Sequence, residues 1–229
     1  MISKSIAGAL ARTPILQITK VGTNVSTSDD EFAALRRQYQ EQHWLRLPNF
    51  ADSSLLELVE RKLNESEYCV VDRETGVELR PVDCTAYLAT ELLLNSPQLL
   101  RAIEQITGCQ HLVCFSGRIY RRPPKSDFYN NWHTDVTDEG RLIALSLNLT
   151  PEQYEGGALE IRSAATKELI CEVHNSGYGD AVIFPVDERF EHRVCPVEGT
   201  IAKTALAGWF RSKFDPGSLF GRERKRPSK

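Results

Sequence analysis

The sequence predicts a mainly β fold preceded by a helical N-terminal layer. Residues up to about 110 hold amphipathic stretches with helical spacing, whereas short β-type runs separated by turn residues begin at 111. Seven such runs in about a hundred residues, with few helical stretches among them, fit a sandwich or a small barrel. No repeat recurs at a period of roughly 20 to 50 residues, which argues against solenoids and propellers.

The elements follow in order. Asp29, Asp30 and Glu31 are acidic residues suited to a first helical turn, and Phe32, Leu35 and Tyr39 then recur at helical spacing. Trp44-Leu45-Arg46-Leu47 alternates like a strand and stops at Pro48. Ser53-Ser54 opens a second amphipathic helix with Leu55, Leu56, Leu58, Val59 and Leu63 on its apolar side. A third helix is expected over Ala86–Leu93, and a fourth from Ser96 or Pro97 to Ile106, ending at Gly108. The β-type runs are HLVCFSGRIY, RLIALSLNL, GALEIRS, KELICEVH, DAVIFP, HRVCPV and KTALAGWFR, punctuated by Pro123-Pro124, Gly156-Gly157 and the stretch from Gly177 to Gly179. The chain thus reads as one domain over 1–229: a mostly helical layer (1–110), a β-rich core (111–212) and a basic, solvated tail (213–229).

Composition narrows the function. Twenty-eight basic against thirty-one acidic residues give a net charge of −3, too balanced for whole-chain attraction to nucleic acid or acidic membranes. No apolar run is long enough to span a bilayer, and Arg12 interrupts the small-residue patch near the N-terminus before a secretory signal forms. The six cysteines lack any C-x-x-C pair and read as reduced, mostly buried thiols of a cytoplasmic protein.

The chemistry lies in a small constellation. His133-Thr134-Asp135 sets an imidazole and a carboxylate two residues apart, which on an extended strand places both on one face. His192 follows 57 residues after Asp135. Two histidines and a carboxylate on one octahedral face form the triad of non-heme Fe(II) oxygenases, with positions left open for co-substrate and O2. H-x-D alone is a weak signal. Eleven residues past His192, Lys203 opens a run whose alternation puts Ala205, Ala207 and Trp209 on its own face and Thr204, Leu206 and Gly208 on the other. A cation pointing into a barrel is costly to bury unless an anion meets it, and a surface lysine is the plain alternative.

With these residues in place, the C-terminal half resembles the Fe(II)/2-oxoglutarate-dependent dioxygenases, particularly the prolyl-hydroxylase-like branch. The matching blocks are W-H-T-D at 132–135, G-R-L-I-A-L-S-L-N-L at 140–149, Y-E-G-G-A-L-E-I at 154–161, G-D-A-V-I-F-P at 179–185, H-R-V-C-P-V at 192–197 and K-T-A-L-A-G-W-F-R at 203–211. Their ordered co-occurrence over about residues 111–212 is far more specific than any one of them. The resemblance implies a double-stranded β-helix (a cupin-like jelly roll) as the catalytic core, with Fe(II), 2-oxoglutarate and O2 as cofactor and co-substrates. It implies His133, Asp135 and His192 as iron ligands and catalytic residues, and Lys203 as partner of the distal carboxylate of 2-oxoglutarate. Tyr120 matches a position where a family tyrosine often hydrogen-bonds the co-substrate; the alternative is a half-buried strand aromatic. Asn148 falls near another co-substrate position often held by Tyr, a departure that leaves its role open.

The resemblance implies hydroxylation, since the related halogenases lack the carboxylate that Asp135 supplies. The acceptor is expected to be an amino acid or a peptidyl residue, so the partner is a small-molecule or peptide substrate, with no nucleic acid and no membrane. A small biosynthetic metabolite as acceptor, or a non-catalytic jelly-roll binding module, are the alternatives. Trp132, Arg118, Arg121, Arg122 and Arg162 flank the metal-binding segments and are candidate cavity or rim groups, and the loops at 121–131 and 187–191 are candidate gates.

Overall fold

The computed structural model describes residues 14–26, 28–125, 127–136, 140–174 and 176–214. In chain order the elements begin β1 (Leu16–Thr19), β2 (Gly22–Val25), α1 (Asp29–Gln42), β3 (Leu45–Leu47), α2 (Ser53–Asn64), β4 (Tyr68–Arg73), β5 (Gly76–Pro81), α3 (Thr85–Leu94) and α4 (Pro97–Thr107). The β-rich half then runs β6 (Cys114–Arg122), β7 (Arg141–Asn148), β8 (Glu155–Gly156), β9 (Leu159–Ser163), β10 (Leu169–Val173), β11 (Ala181–Pro185), β12 (Phe190–Val194), β13 (Val197–Glu198) and β14 (Lys203–Arg211).

The helices start and stop where their local chemistry directs. Ser28, Asp52 and Ser96 cap α1, α2 and α4 by accepting the backbone N–H groups of Glu31, Leu55 and Leu99. Gly108 ends α4 in the left-handed region, returning its N–H to the Glu104 carbonyl. Among the described residues no helix is long and apolar enough to cross a membrane. No disulfide joins the cysteines. Only Cys114 and Cys171 are buried and Cys69 and Cys84 are exposed, so the expectation of mostly buried thiols does not hold.

The strands make a jelly roll. A seven-stranded antiparallel sheet has the order β3-β11-β7-β14-β6-β5-β4, and a three-stranded sheet has the order β10-β9-β12. One face of the large sheet packs Ile119, Leu145, Leu147, Leu206 and Phe210 into the main core with helix residues such as Leu94, Leu99, Ile103 and Ile106. On the other face Ala144, Val182 and Phe184 meet Leu159, Ile161 and Val194 of the small sheet. Asp180 of the G-D-A-V-I-F-P block secures the edge of this arrangement. Its buried carboxylate accepts from the Arg46 guanidinium, Asn49 N and Gly177 N, binding β3 and the turn before β11 together.

All seven expected β runs form strands, and the four expected helices form, the third and fourth within one residue of their anticipated ends. Two hairpins lie outside the expectation. β1–β2 is a short separate ribbon, whereas β4–β5 extends the large sheet beyond β6. The β4–β5 turn also docks on the segment ahead of the first histidine: Val77 N donates to Tyr129 O, and Asn131 N donates to Thr75 O. A Cβ on Gly76 would stand 2.1 Å from the Tyr129 carbonyl, so only glycine admits this approach. The tail at 213–229 lies outside the described residues apart from Lys213 and Phe214, as do the first thirteen residues considered for a signal.

Candidate active site

His133 and Asp135 lie between β6 and β7, and their segment is not the extended strand that their spacing implies. His133 forms a single antiparallel bridge with His192, and Asp135 sits in a bend beyond it. Two backbone hydrogen bonds make that bridge, His133 N to His192 O at 3.1 Å and His192 N to His133 O at 3.0 Å. They fix the two imidazoles side by side, with ring centroids 4.4 Å apart. His192 is itself mid-strand in β12, opposite Ile161. Asp135 completes the group, its oxygens 3.8 Å from His133 Nε2 and 3.3 Å from His192 Nε2. The three prospective ligand atoms lie within 4.8 Å of one another, the one such group among the described residues.

The electrostatics suit a divalent cation. His133 Nδ1 lies 2.7 Å from the Asn131 carbonyl, a contact that places the proton on Nδ1 and leaves the Nε2 lone pair facing Asp135. Burial, reinforced by His192, pushes the His133 imidazole down to about 4, so it is neutral at neutral pH. Burial alone would raise the Asp135 carboxyl. Contact with His192 and a hydrogen bond from the Trp209 indole outweigh it and hold the carboxylate well below its ordinary range. The indole Nε1–H donates to Asp135 Oδ2 at 2.7 Å. Two neutral-capable imidazoles and one ionised carboxylate match the donor set of non-heme Fe(II) centres.

A cavity of about 560 Å3 opens over this group. Arg118, Tyr120 and Arg122 line it from β6, Ser146 from β7, Trp209 from β14 and Arg73 from the end of β4. Tyr120 is buried between two guanidiniums, with Arg118 Cζ 5.7 Å and Arg122 Cζ 5.1 Å from its ring centroid. Lys203 is buried just behind the lining, on the interior face its alternation implies. Its Nζ donates to Gly157 O at 2.6 Å, and burial together with Arg122 brings the ammonium down to about 7. Thr204 points to the opposite side and accepts from Arg121. Asn148 shares the interior face by register, opposite Ala205, but the structure does not bring it to the cavity. Its amide donates to the Ser176 and Gly177 carbonyls and its oxygen accepts from Thr150 N, so it holds a turn.

Of the other flanking groups only Arg118 and Arg122 reach the cavity. Arg121 stacks on Tyr68. Trp132 lies between the guanidiniums of Arg162 and Arg193, which pair with Glu191 and Glu160. The stretch at 187–191 contributes nothing to the lining, and its last two residues, Phe190 and Glu191, belong to β12.

Several contributors, Arg73 among them, escape the sequence reading. Trp209 could have been found, because its place on the Lys203 face was visible. Arg141, stacked 3.6 Å from the Trp209 ring centroid with NH1 3.7 Å from Asp135 Oδ1, gave no sign beyond its position after the histidine segment. Glu78 of β5 gave none at all. It is buried against Arg118 (Nε to Oε1 2.8 Å) and Arg80 (NH2 to Oε1 2.7 Å), aiming Arg118 at the cavity. Burial alone would raise this carboxyl, but the two guanidiniums hold it at about 2.

Residues 118–211, which span all three triad residues, match the family model of the 2OG-Fe(II) oxygenase superfamily. This stretch of the chain is a 2OG-Fe(II) oxygenase domain. The 2OG-Fe(II) oxygenases use Fe(II), 2-oxoglutarate and O2, and this chain is accordingly a dioxygenase. The fold is also that of solved structures of low sequence identity. A Pseudomonas putida prolyl-4-hydroxylase is 20% identical with TM-score 0.60, over 80% of this chain and 100% of that one. A Burkholderia pseudomallei oxidoreductase of the 2OG-Fe(II) oxygenase family is 14% identical with TM-score 0.59, over 85% and 95%. A Trichoplax adhaerens prolyl hydroxylase, solved with a peptide fragment of hypoxia-inducible factor, is 14% identical with TM-score 0.58, over 81% and 94%. A search of curated proteins returned no match.

Proposed function

We propose that this oxygenase hydroxylates an unactivated C–H bond of an amino acid, free or within a peptide, with His133, Asp135 and His192 as its iron ligands. The observation that carries the reading is the convergence of two imidazoles and a carboxylate beneath an arginine-lined cavity. Fe(II), 2-oxoglutarate and O2 supply the oxidising chemistry, in which the keto acid loses CO2 to become succinate and one oxygen atom enters the substrate C–H bond.

The chain's own contribution is placement. The Asn131 carbonyl fixes the His133 tautomer and the Trp209 indole orients Asp135, as partners of metal ligands do. Lys203 and Tyr120 are assigned to the co-substrate carboxylate, on the strands that wall the cavity. The structural likeness to prolyl hydroxylases supports an amino-acid acceptor. A second reading, a small anionic metabolite as acceptor, draws on Arg73, Arg118 and Arg141 around the cavity.

Succinate release with Fe(II) and 2-oxoglutarate, screened against free amino acids, proline-containing peptides and small carboxylic or phosphorylated metabolites, tests both. Stimulation by amino acids or peptides, abolished in Asp135→Ala, is the expected result. Stimulation confined to the metabolites would transfer the assignment to the second reading.

A further inference from the structure

Lys203 is not the only cation buried beside the cavity. Lys203 and Arg122 face each other in the β14–β6 register and therefore project to the same side of the sheet. They are 5% and 3% exposed, and among the described residues neither has a carboxylate partner. Glu78, the buried acid of this region, is committed to Arg118 and Arg80. Arg122 makes a single hydrogen bond, NH1 to Val194 O at 3.5 Å, and its buried Nε makes none. Arg122 lines the cavity, whereas the Lys203 ammonium lies behind the lining and already donates to a carbonyl. Two adjacent buried cations without a carboxylate partner among the described residues, one with an unused donor, form a site suited to an anion.

We infer that Arg122 is a second cation of the co-substrate subsite, binding the distal carboxylate of 2-oxoglutarate beside Lys203 and selecting for dicarboxylic keto acids. The inference rests on the co-substrate assignment made above. A guanidinium offers forked donors to a carboxylate where an ammonium offers a point charge, so Arg122 supplies directionality that Lys203 lacks.

Calorimetric titration of the Mn(II)-loaded protein with 2-oxoglutarate, and separately with 2-oxobutanoate, tests the inference without turnover. The second acid keeps the 2-oxo carboxylate head and lacks the distal carboxylate. Arg122→Met is expected to weaken 2-oxoglutarate binding by roughly 10- to 100-fold, the scale of a lost charged hydrogen bond, and to leave 2-oxobutanoate within about two-fold of wild type. Unchanged 2-oxoglutarate affinity, or an equal loss for both acids, would overturn it. If Arg122→Met does not fold, Arg122→Lys serves instead: selective weakening of 2-oxoglutarate supports the inference and no selective change refutes it. Failure of the wild type to bind 2-oxoglutarate at all would sink the co-substrate assignment itself, a different result from a silent Arg122 substitution.

Discussion

The two faces of strands β6, β7 and β14 share a backbone and differ in almost everything else. Toward the helices they present Ile119, Leu145, Leu147, Leu206 and Phe210, all essentially solvent-free. Toward the small sheet they present Arg118, Tyr120, Arg122, Ser146, Lys203 and Trp209. Alternation along a strand separates the two sets residue by residue. The apolar face holds the sheet to its helices. The polar face carries buried charge that is costly to fold and becomes useful only when a metal or an anion answers it. Within that polar face, Arg118 has an internal partner in Glu78, whereas Arg122 and Lys203 are left for a ligand.

Substitutions on the two faces should therefore separate stability from activity. Asp135→Ala, at the metal end of the polar face, is expected to abolish succinate formation while circular dichroism shows a folded protein; retained turnover would break the comparison. Glu78→Gln removes the counter-charge of Arg118 and Arg80, and urea unfolding should show a loss of roughly 3–5 kcal/mol. The same carboxylate should govern acid stability. Its folded value of about 2 lies below the ordinary 4.5, so its contribution is complete above pH 4.5 and disappears as pH falls toward 2. Glu78→Gln should lose that part of the acid transition. Leu206→Ala, on the apolar face, should cost roughly 2–5 kcal/mol by cavity formation yet leave metal and keto-acid affinity unchanged in the folded protein. Trp209→Phe keeps an aromatic ring and removes the donor to Asp135, and metal titration should find roughly 10- to 100-fold weaker binding with little change in melting. The smallest effect concerns pH. With its ammonium brought down to about 7, Lys203 loses charge before 2-oxoglutarate binds as pH rises through neutrality, so 2-oxoglutarate affinity should decline as pH rises above about 7. Lys203→Arg, which keeps its charge, should flatten that decline.

Where local chemistry decides structure, the sequence was readable. The helix starts read at Asp29, Ser53 and Pro97 and the stop at Gly108 lie where Ser28, Asp52, Ser96 and Gly108 make short-range capping hydrogen bonds. The seven β runs alternate plainly because one side of most of them faces an apolar core. The β4–β5 hairpin was opaque for the converse reason: its more buried positions carry Gly76 and Glu78, inverting the pattern by which a strand is recognised. The triad was legible from residue types and order, although the H-x-D segment reaches its geometry through one bridge to His192 and not through a strand. The place of Asn148 at the end of β7, where its amide serves a turn, and the pairing of Arg122 with Lys203 depend on register between distant strands. No single stretch of sequence encodes such register.

The central claim is that His133, Asp135 and His192 hold iron where a keto acid can chelate it. Anaerobic difference absorption on the purified protein, adding Fe(II) and then 2-oxoglutarate, tests it most directly. A weak visible metal-to-ligand charge-transfer band is expected, absent in His133→Ala and displaced to higher 2-oxoglutarate concentration in Lys203→Ala. A folded protein that binds iron and gives no band with 2-oxoglutarate would contradict it.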